Sequence, residues 1–363
     1  MADSRGKHET TLVVTDPRAM GLIGPSEART AIAAAFRSAG DMDAESLERR
    51  RIYISLGDGE YLWHNTMAGW HSPSSTLAVR IDVARVSTPA DGTMQFPGNF
   101  SGFVMLFASD TCAPYAIIHD HLLSPTRVAA TSALASGLLA RPASEVLGLI
   151  GGGEQALAHI DSHLDLFPAL REIRVFIRTE SSRSALEGRL SSRWNIDIKA
   201  VDTAREAVVA CDIVIACTNA KSPVFSGSWL APGQHVVTVA SPDKFIRRQE
   251  IDAETVRRAD IVMVNSVRQI AEDCQQPLLG LIESGQIMQN NLLELPIALK
   301  SDAPVRTGSD QITLYDNNVG MGVQFAALGK LLVERAIENG YVSEIPADIF
   351  LTRRTSESDR FAP

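Results

Sequence analysis

The sequence predicts an α/β protein in which a doubly wound parallel sheet is joined to a second, β-rich α+β domain. Three observations carry that expectation. An apolar run, Val146-Leu147-Gly148-Leu149-Ile150, ends in Gly151-Gly152-Gly153 and, after Glu154-Gln155, passes into Ala156-Leu157-Ala158-His159-Ile160, which has helical spacing. Strand and helix patterns then alternate up to about residue 265, which is how parallel strands with crossover helices read. Before the glycines, residues 51–116 carry several strand patterns punctuated by Gly-Asp and Pro-Gly rather than by helices.

Each element has its own local reason. Thr11 to Val14 reads as a strand, and Pro25-Ser26-Glu27 opens a helix that carries Ile32, Ala35 and Phe36 and is stopped by Gly40. Strands follow over 52–56, 59–67, 77–86 and 102–107. In the third of these, Val79, Ile81 and Val83 share one face and Arg80 and Asp82 the other, so the polar pair is expected to point away from the core. Residues 121–141 are small-residue-rich and helical, with Ser124-Pro125 near the start and Arg127 in the first turn. After the glycine turn the patterns give a strand at 173–177, a helix at 184–193, a strand at 196–200 and a helix at 203–210. Strands at 213–217, 235–240, 261–265 and 311–315 follow, then Asp316-Asn317-Asn318 as a cap and an amphipathic helix from Gly322 to Asn339, ended by Gly340.

Composition narrows the function classes. With 363 residues there is length for two cores, and 45% hydrophobic with 21% charged content is ordinary for a globular protein. A net charge of -9 and a pI near 5.4 argue against a nucleic-acid partner or an anionic membrane surface. Cys112, Cys211, Cys217 and Cys274 show no paired spacing and read as reduced thiols. No apolar run approaches the length of a membrane span, and the simplest address is the cytoplasm.

The glycine cluster is a dinucleotide-phosphate turn in its pattern. Gly151 can take backbone angles other residues avoid, Gly153 leaves a pyrophosphate unobstructed, and Ala156 is small enough for close helix–strand packing. The helix N-terminus, with Gln155 and Ala156 in the cofactor set, then offers its N–H groups to the phosphates. An acid about 20 residues beyond such glycines would read the ribose hydroxyl of NAD. Here the next strand ends in Phe176-Ile177-Arg178-Thr179, with Arg183 following, which favours the 2′-phosphate of NADP. The planar fork of Arg127 suits a substrate carboxylate. His159 and His163 have a spacing that zinc can use but no acidic partner pattern, and no metal site is expected.

Together, several segments make the chain resemble the ornithine cyclodeaminase/μ-crystallin family. They are Ser124-Pro125-Thr126-Arg127-Val128-Ala129-Ala130, Leu139-Ala140-Arg141, Leu147 to Ala156, Arg178-Thr179, Asp212 to Thr218, and Asn318-Val319-Gly320-Met321-Gly322-Val323-Gln324. The resemblance implies a Rossmann domain over 126–312 and a substrate-binding and dimerisation domain from 1–125 and 313–363. It implies a homodimer acting on a small imino or amino acid. It assigns the carboxylate to Arg127, with an arginine near Arg51 as a second contact and Arg80 at the substrate; Met67, with Trp63, His64 and Trp70, reads from the residues themselves as core or pocket wall. It adds Gly152, Thr218, Ala240 and Ser241 to the cofactor set.

Three positions depart from the family pattern. The family lysine falls at Arg80, the loop aspartate at Ser241 or Asp243, and the late acidic position at Phe325. Arginine stays charged and cannot act as a base. The reading is therefore an NADP- or NAD-dependent reductase of an α-imino acid or cyclic ketimine, with Asp82, Asp243 or a water as proton source. The alternatives are a cyclodeaminase using bound NAD internally and a silent NADPH-binding protein.

Overall fold

The structure is a computed structural model and describes residues 9–41, 43–47, 49–87, 100–179, 190, 193–240, 242, 247–301 and 303–351. Its elements begin with β1 (Thr10–Val14), α1 (Pro25–Gly40), β2 (Ala44–Ser46), β3 (Arg50–Gly57), β4 (Glu60–His71), β5 (Thr76–Ser87), β6 (Phe100–Ala108), β7 (Pro114–His119), α2 (Ser124–Leu139), β8 (Val146–Ile150) and α3 (Glu154–Leu166). They continue with β9 (Glu172–Phe176), β10 (Asp197–Val201), β11 (Ile213–Ala216), β12 (His235–Thr238), α4 (Ala253–Arg258), β13 (Ile261–Val264), α5 (Val267–Glu272), α6 (Leu278–Glu283) and β14 (Leu293–Glu294). The last are α7 (Leu295–Ala298), β15 (Thr313–Asp316), α8 (Gly322–Glu338) and β16 (Ser343–Pro346). Two compact units result, one taking the chain through Ile23, Asp43–Leu123 and Met321 onward, the other Gly24–Met42 and Ser124–Gly320.

The first unit is a mixed sheet in the order β16-β1-β7-β6-β5-β4-β2, with β3 also paired to β4. The β4 and β5 hairpin stays in register from Glu60 opposite Ser87 to His71 opposite Thr76. On one face α8 packs against β4 and β5 with backbone meeting backbone. A Cβ on Gly69 would lie 2.1 Å from the Val323 nitrogen, and one on Gly322 would lie 2.1 Å from the Ala68 carbonyl carbon. Only glycine at both positions permits that approach. The opposite face keeps Ile52, Ile54, Leu77 and Phe103 exposed. The alternation in β5 therefore runs opposite to the sequence expectation: Asp82 is buried and Arg80 nearly so on the α8 side, while the Val79, Ile81 and Val83 face is only half-buried.

The second unit is built on a wholly parallel sheet in the order β10-β9-β8-β11-β12-β15-β13-β14. Its central strands are apolar on both faces, as strands covered on both sides must be. The order reverses at β8, which has β9 on one side and β11 on the other, so the topological switch point lies where the glycine turn leaves the sheet. Two expected domain limits shift for packing reasons. Helix α1 packs against α2, α3 and α7 and belongs here, and β15 is hydrogen-bonded between β12 and β13, so residues through Gly320 belong here too.

Smaller differences concern local patterns. Residues 203–210 form turns rather than a helix, ending at Ala210 with a left-handed φ of 58°. Asp316, Asn317 and Asn318 do not cap α8; they are buried, and Gln324 Oε1 accepts from the Met321 nitrogen instead, at 2.8 Å. Most of the expected helix at 184–193 lies outside the described residues.

Candidate active site

The glycine turn is shaped for a bound phosphate. Gly151 has a φ of +124°, and a Cβ there would lie 2.5 Å from the Cys217 carbonyl oxygen, so only glycine fits. Its N–H donates to the Phe176 carbonyl at 3.0 Å, which holds the turn beside the tip of β9. Gly153 caps α3 without any side-chain hydrogen bond, and a Cβ on it would meet nothing within 4 Å. Ala156 is buried where α3 closes onto the sheet, and Gln155 keeps a buried Oε1 with no hydrogen-bond partner. An open, uncapped helix start fits the pyrophosphate of a dinucleotide. Gly152 lies inside this turn. Arg178 and Thr179 are exposed just beyond β9, next to it.

Glu250 ties the neighbouring strand ends together. Its buried carboxylate accepts from the Thr218 N–H after β11, from Thr238 Oγ1 at 2.7 Å, and from the Val239 and Ala240 nitrogens at 2.9 and 2.8 Å after β12. The backbone N–H groups of Thr218 and Ala240 are thus committed within the protein. Asp316, at the end of β15, is buried with Oδ1 unpartnered; burial first, then the Glu250 charge, push its carboxyl up to about 8. Neither acid stood out in the sequence. Glu250 follows Arg247-Arg248-Gln249 and reads as a solvated loop, and Asp316 reads as a cap.

Arg127 is set by the loop leaving β15. Asn317 Nδ2 donates to the Val128 carbonyl and to Ser132 Oγ, both at 3.1 Å, which fixes that loop to the first turns of α2. Gly320 then gives the guanidinium room, because a Cβ there would sit 2.8 Å from Nη1. Asn265 bonds Asn317 Oδ1 at 2.8 Å and receives the Tyr315 hydroxyl at 2.5 Å, so the loop is held from the other side as well.

The two histidines of α3 are internal struts. Nδ1 of His159 donates to the Gln155 carbonyl and Nδ1 of His163 to the His159 carbonyl, at 2.7 and 2.8 Å. Their Nε2 atoms meet Ser132 Oγ at 2.9 Å and Ser136 Oγ at 3.0 Å, and Ser136 also meets His235 Nε2 at 3.0 Å. Burial lowers the three rings to about 4, 3 and 3 for His159, His163 and His235. Among the described residues no group of three His, Cys, Asp or Glu could hold a metal ion, and no helix is long and apolar enough to cross a membrane.

In the first unit the register aligns Arg51 with Asn65 and Asn65 with Asp82, while Met67 faces Arg80 one step along. Arg80 is committed to carboxylates: Nε and Nη2 donate to Asp120 Oδ1 and Oδ2 at 2.7 and 2.6 Å, and Nη2 also pairs with Asp82. Burial works against the guanidinium charge, but these partners, Asp120 foremost, outweigh it and raise the Arg80 pKa. The Phe325 ring lies 5.5 Å from its Cζ. Burial pushes the Asp82 carboxyl up against the pull of Arg80, and Asp82 Oδ1 is buried without a partner although Asn65 Nδ2 reaches Oδ2 at 3.2 Å. Asp120 was missed in the sequence because it follows the strand pattern of β7 and lies 40 residues from Arg80. Arg183, Ser241 and Asp243 lie outside the described residues.

A family model described as the ornithine cyclodeaminase/mu-crystallin family matches residues 89–340. The chain belongs to this family. Among its relatives, the Delta(1)-pyrroline-2-carboxylate reductase of Bacillus cereus (strain ATCC 10987 / NRS 248) is 31% identical over 247 residues, covering 66% of this chain and 72% of the relative. The ketimine reductase mu-crystallin of Mus musculus is 28% identical over 236 residues, covering 64% of this chain and 68% of the relative. The solved structure of Thermococcus litoralis Delta(1)-pyrroline-2-carboxylate reductase in complex with NADH and L-proline superposes with a TM-score of 0.79 at 24% identity, covering 92% of this chain and 100% of that one. The family's mixed α/β fold with a parallel sheet is therefore this chain's fold.

Proposed function

We propose that this family member is an NADP- or NAD-dependent reductase converting a small α-imino acid or cyclic ketimine to the amino acid, reversibly. One observation carries the reading: the carboxyl edge of a single parallel sheet presents both the open, uncapped turn at Gly151 to Gly153 and Arg127 seated against Gly320. The named activities of the Bacillus and mouse relatives support it. When bound, the nicotinamide supplies a hydride from C4 to the imine carbon. Arg127 grips the substrate carboxylate through its planar fork. Arg178 and Thr179, with Arg183, favour the 2′-phosphate of NADP. Because Arg80 is held charged between Asp82 and Asp120, it cannot be the base, and the proton comes from Asp82 or Asp243. Arg51 and Met67 complete the substrate contacts. The exposed apolar face bearing Ile52, Ile54, Leu77 and Phe103 is offered as the homodimer surface. The enzyme is placed in the cytoplasm.

The test is oxidation of NADPH and NADH with pyruvate plus amines and with cyclic imino acids. Turnover is expected only on substrates carrying a carboxylate, and Arg178→Ala should weaken NADPH more than NADH. No turnover on any carboxylated imine sinks the proposal. Proline and ammonia formed from ornithine without net cofactor use would identify a cyclodeaminase instead.

A further inference from the structure

Asp316 stands at the carboxyl edge of the parallel sheet, opposite Thr238 of β12 and Val264 of β13. In open sheets wound this way, ligands bind outside that edge. Its carboxyl is buried, and Oδ1 meets no hydrogen-bond partner. On the same edge, Glu250 already receives the Thr218, Val239 and Ala240 N–H groups and the Thr238 hydroxyl. Among the described residues, Glu250 is the charged group that acts on Asp316. Tyr315 turns to Asn265, Arg127 acts on Tyr315 from α2, and His235 lies at the far end of β12; the four residues of β13 carry no charged group. Asp316 therefore feels burial and a neighbouring acid, both of which favour its neutral form.

Resting on the nucleotide reading above, we propose that Asp316 is a proton-exchanging group of the nucleotide site, keeping its proton beside reduced cofactor and releasing it when oxidised cofactor binds. The charges set the direction. The oxidised nicotinamide ring is a cation, and a cation in a buried site attracts a carboxylate strongly enough to oppose desolvation and Glu250; the reduced ring is neutral and offers no such attraction. The balance is one protonated carboxyl plus NADP⁺ giving the carboxylate complex and one free proton. No bond to the cofactor forms, and no electrons move.

The experiment measures NADP⁺ and NADPH affinity of the full chain from about pH 6 to about pH 9, in the wild type and in Asp316→Asn. Proton release on adding NADP⁺ is followed in weakly buffered solution. Both nucleotides carry the same 2′-phosphate, so its titration cancels between them. Below pH 8, NADP⁺ affinity relative to NADPH should rise by about tenfold per pH unit and then flatten, with release approaching about one proton per NADP⁺ bound. Asp316→Asn should abolish both effects. Parallel pH curves for the two nucleotides, or undiminished release in Asp316→Asn, overturn the proposal while leaving nucleotide binding intact. If the variant does not fold, absence of proton release in the wild type overturns it. If neither nucleotide binds the wild type, the nucleotide reading falls and takes this inference with it.

Discussion

The Arg127 guanidinium occupies space that any side chain at Gly320 would fill: a Cβ there would lie 2.8 Å from Nη1 and 3.1 Å from Cζ. Gly320→Ala should therefore displace the fork from the position proposed for gripping the substrate carboxylate, without touching the glycine turn. The expected result is a KM for the imino acid raised by about tenfold, with NADPH affinity nearly unchanged. Steady-state kinetics beside a fluorescence titration separates the two; an equal loss of cofactor affinity would show that Arg127 serves the nucleotide instead.

Two glycines of the nucleotide-binding unit should respond oppositely to alanine. A Cβ on Gly148 would sit 1.7 Å from the Ala207 carbonyl oxygen, which is backbone and cannot rotate away, so Gly148→Ala should cost about 3 kcal/mol or more. Gly153→Ala meets nothing within 4 Å and should leave the melting temperature almost unchanged while weakening NADPH binding. Thermal unfolding with and without NADPH tests both. A neutral Gly153→Ala in the binding assay would remove the phosphate from that turn.

Arg80 pairs with both Asp120 and Asp82. Arg80→Met leaves two buried carboxyl groups without that partner, and a loss of about 3–5 kcal/mol is expected in urea unfolding. Arg80→Lys keeps the charge but gives up the two-pronged bond to Asp120, so it should fall between the wild type and Arg80→Met. Equal stability of Arg80→Met and the wild type would mean that the cluster holds nothing together.

The three buried histidines make stability fall in mild acid. Their folded pKa values, about 4, 3 and 3, lie below the ordinary 6.5, so below pH 6.5 the unfolded chain binds protons that the folded chain refuses. Stability is complete above that pH and is lost as pH drops toward 4, by on the order of 1–2 kcal/mol per ring at pH 5. Protonating Nε2 of His159 or His163 would also replace the bond it accepts from serine. The urea midpoint measured between pH 7 and pH 4.5 should shift steadily downward, and less steeply in His235→Gln. Asp316 works in the other direction: its raised pKa favours the folded state at acid pH and disfavours it as pH climbs toward 8.

The sequence showed most plainly the features that depend on backbone. Gly151 must be glycine because its φ is positive and Cys217 crowds it, and such a requirement leaves a mark that local pattern can read. The face assignment of Arg80 and Asp82 failed because alternation reveals two faces without saying which is covered. Val79, Ile81 and Val83 look like core, yet α8, more than 200 residues later, covers the polar side. Partners remote in sequence were likewise invisible, as with Asp120 for Arg80, and the Thr218 to Glu250 bond, which spans 32 residues. The serine partners of His159 and His163 were equally out of reach, because they lie on α2 and meet the rings only where α2 packs against α3.

Helix α1 belongs to the nucleotide-binding unit although most of the other unit separates it from α2 and α3. On the ribosome this imposes a wait. At about 5–20 residues per second, the roughly 100 residues from Gly40 to the end of α2 take on the order of 5–20 s, during which Ile32, Ala35 and Phe36 have no partner from their own unit. The nascent chain must carry an apolar face through synthesis of the β-rich sheet, which makes that interval the one in which a chaperone or a misdirected strand would find it.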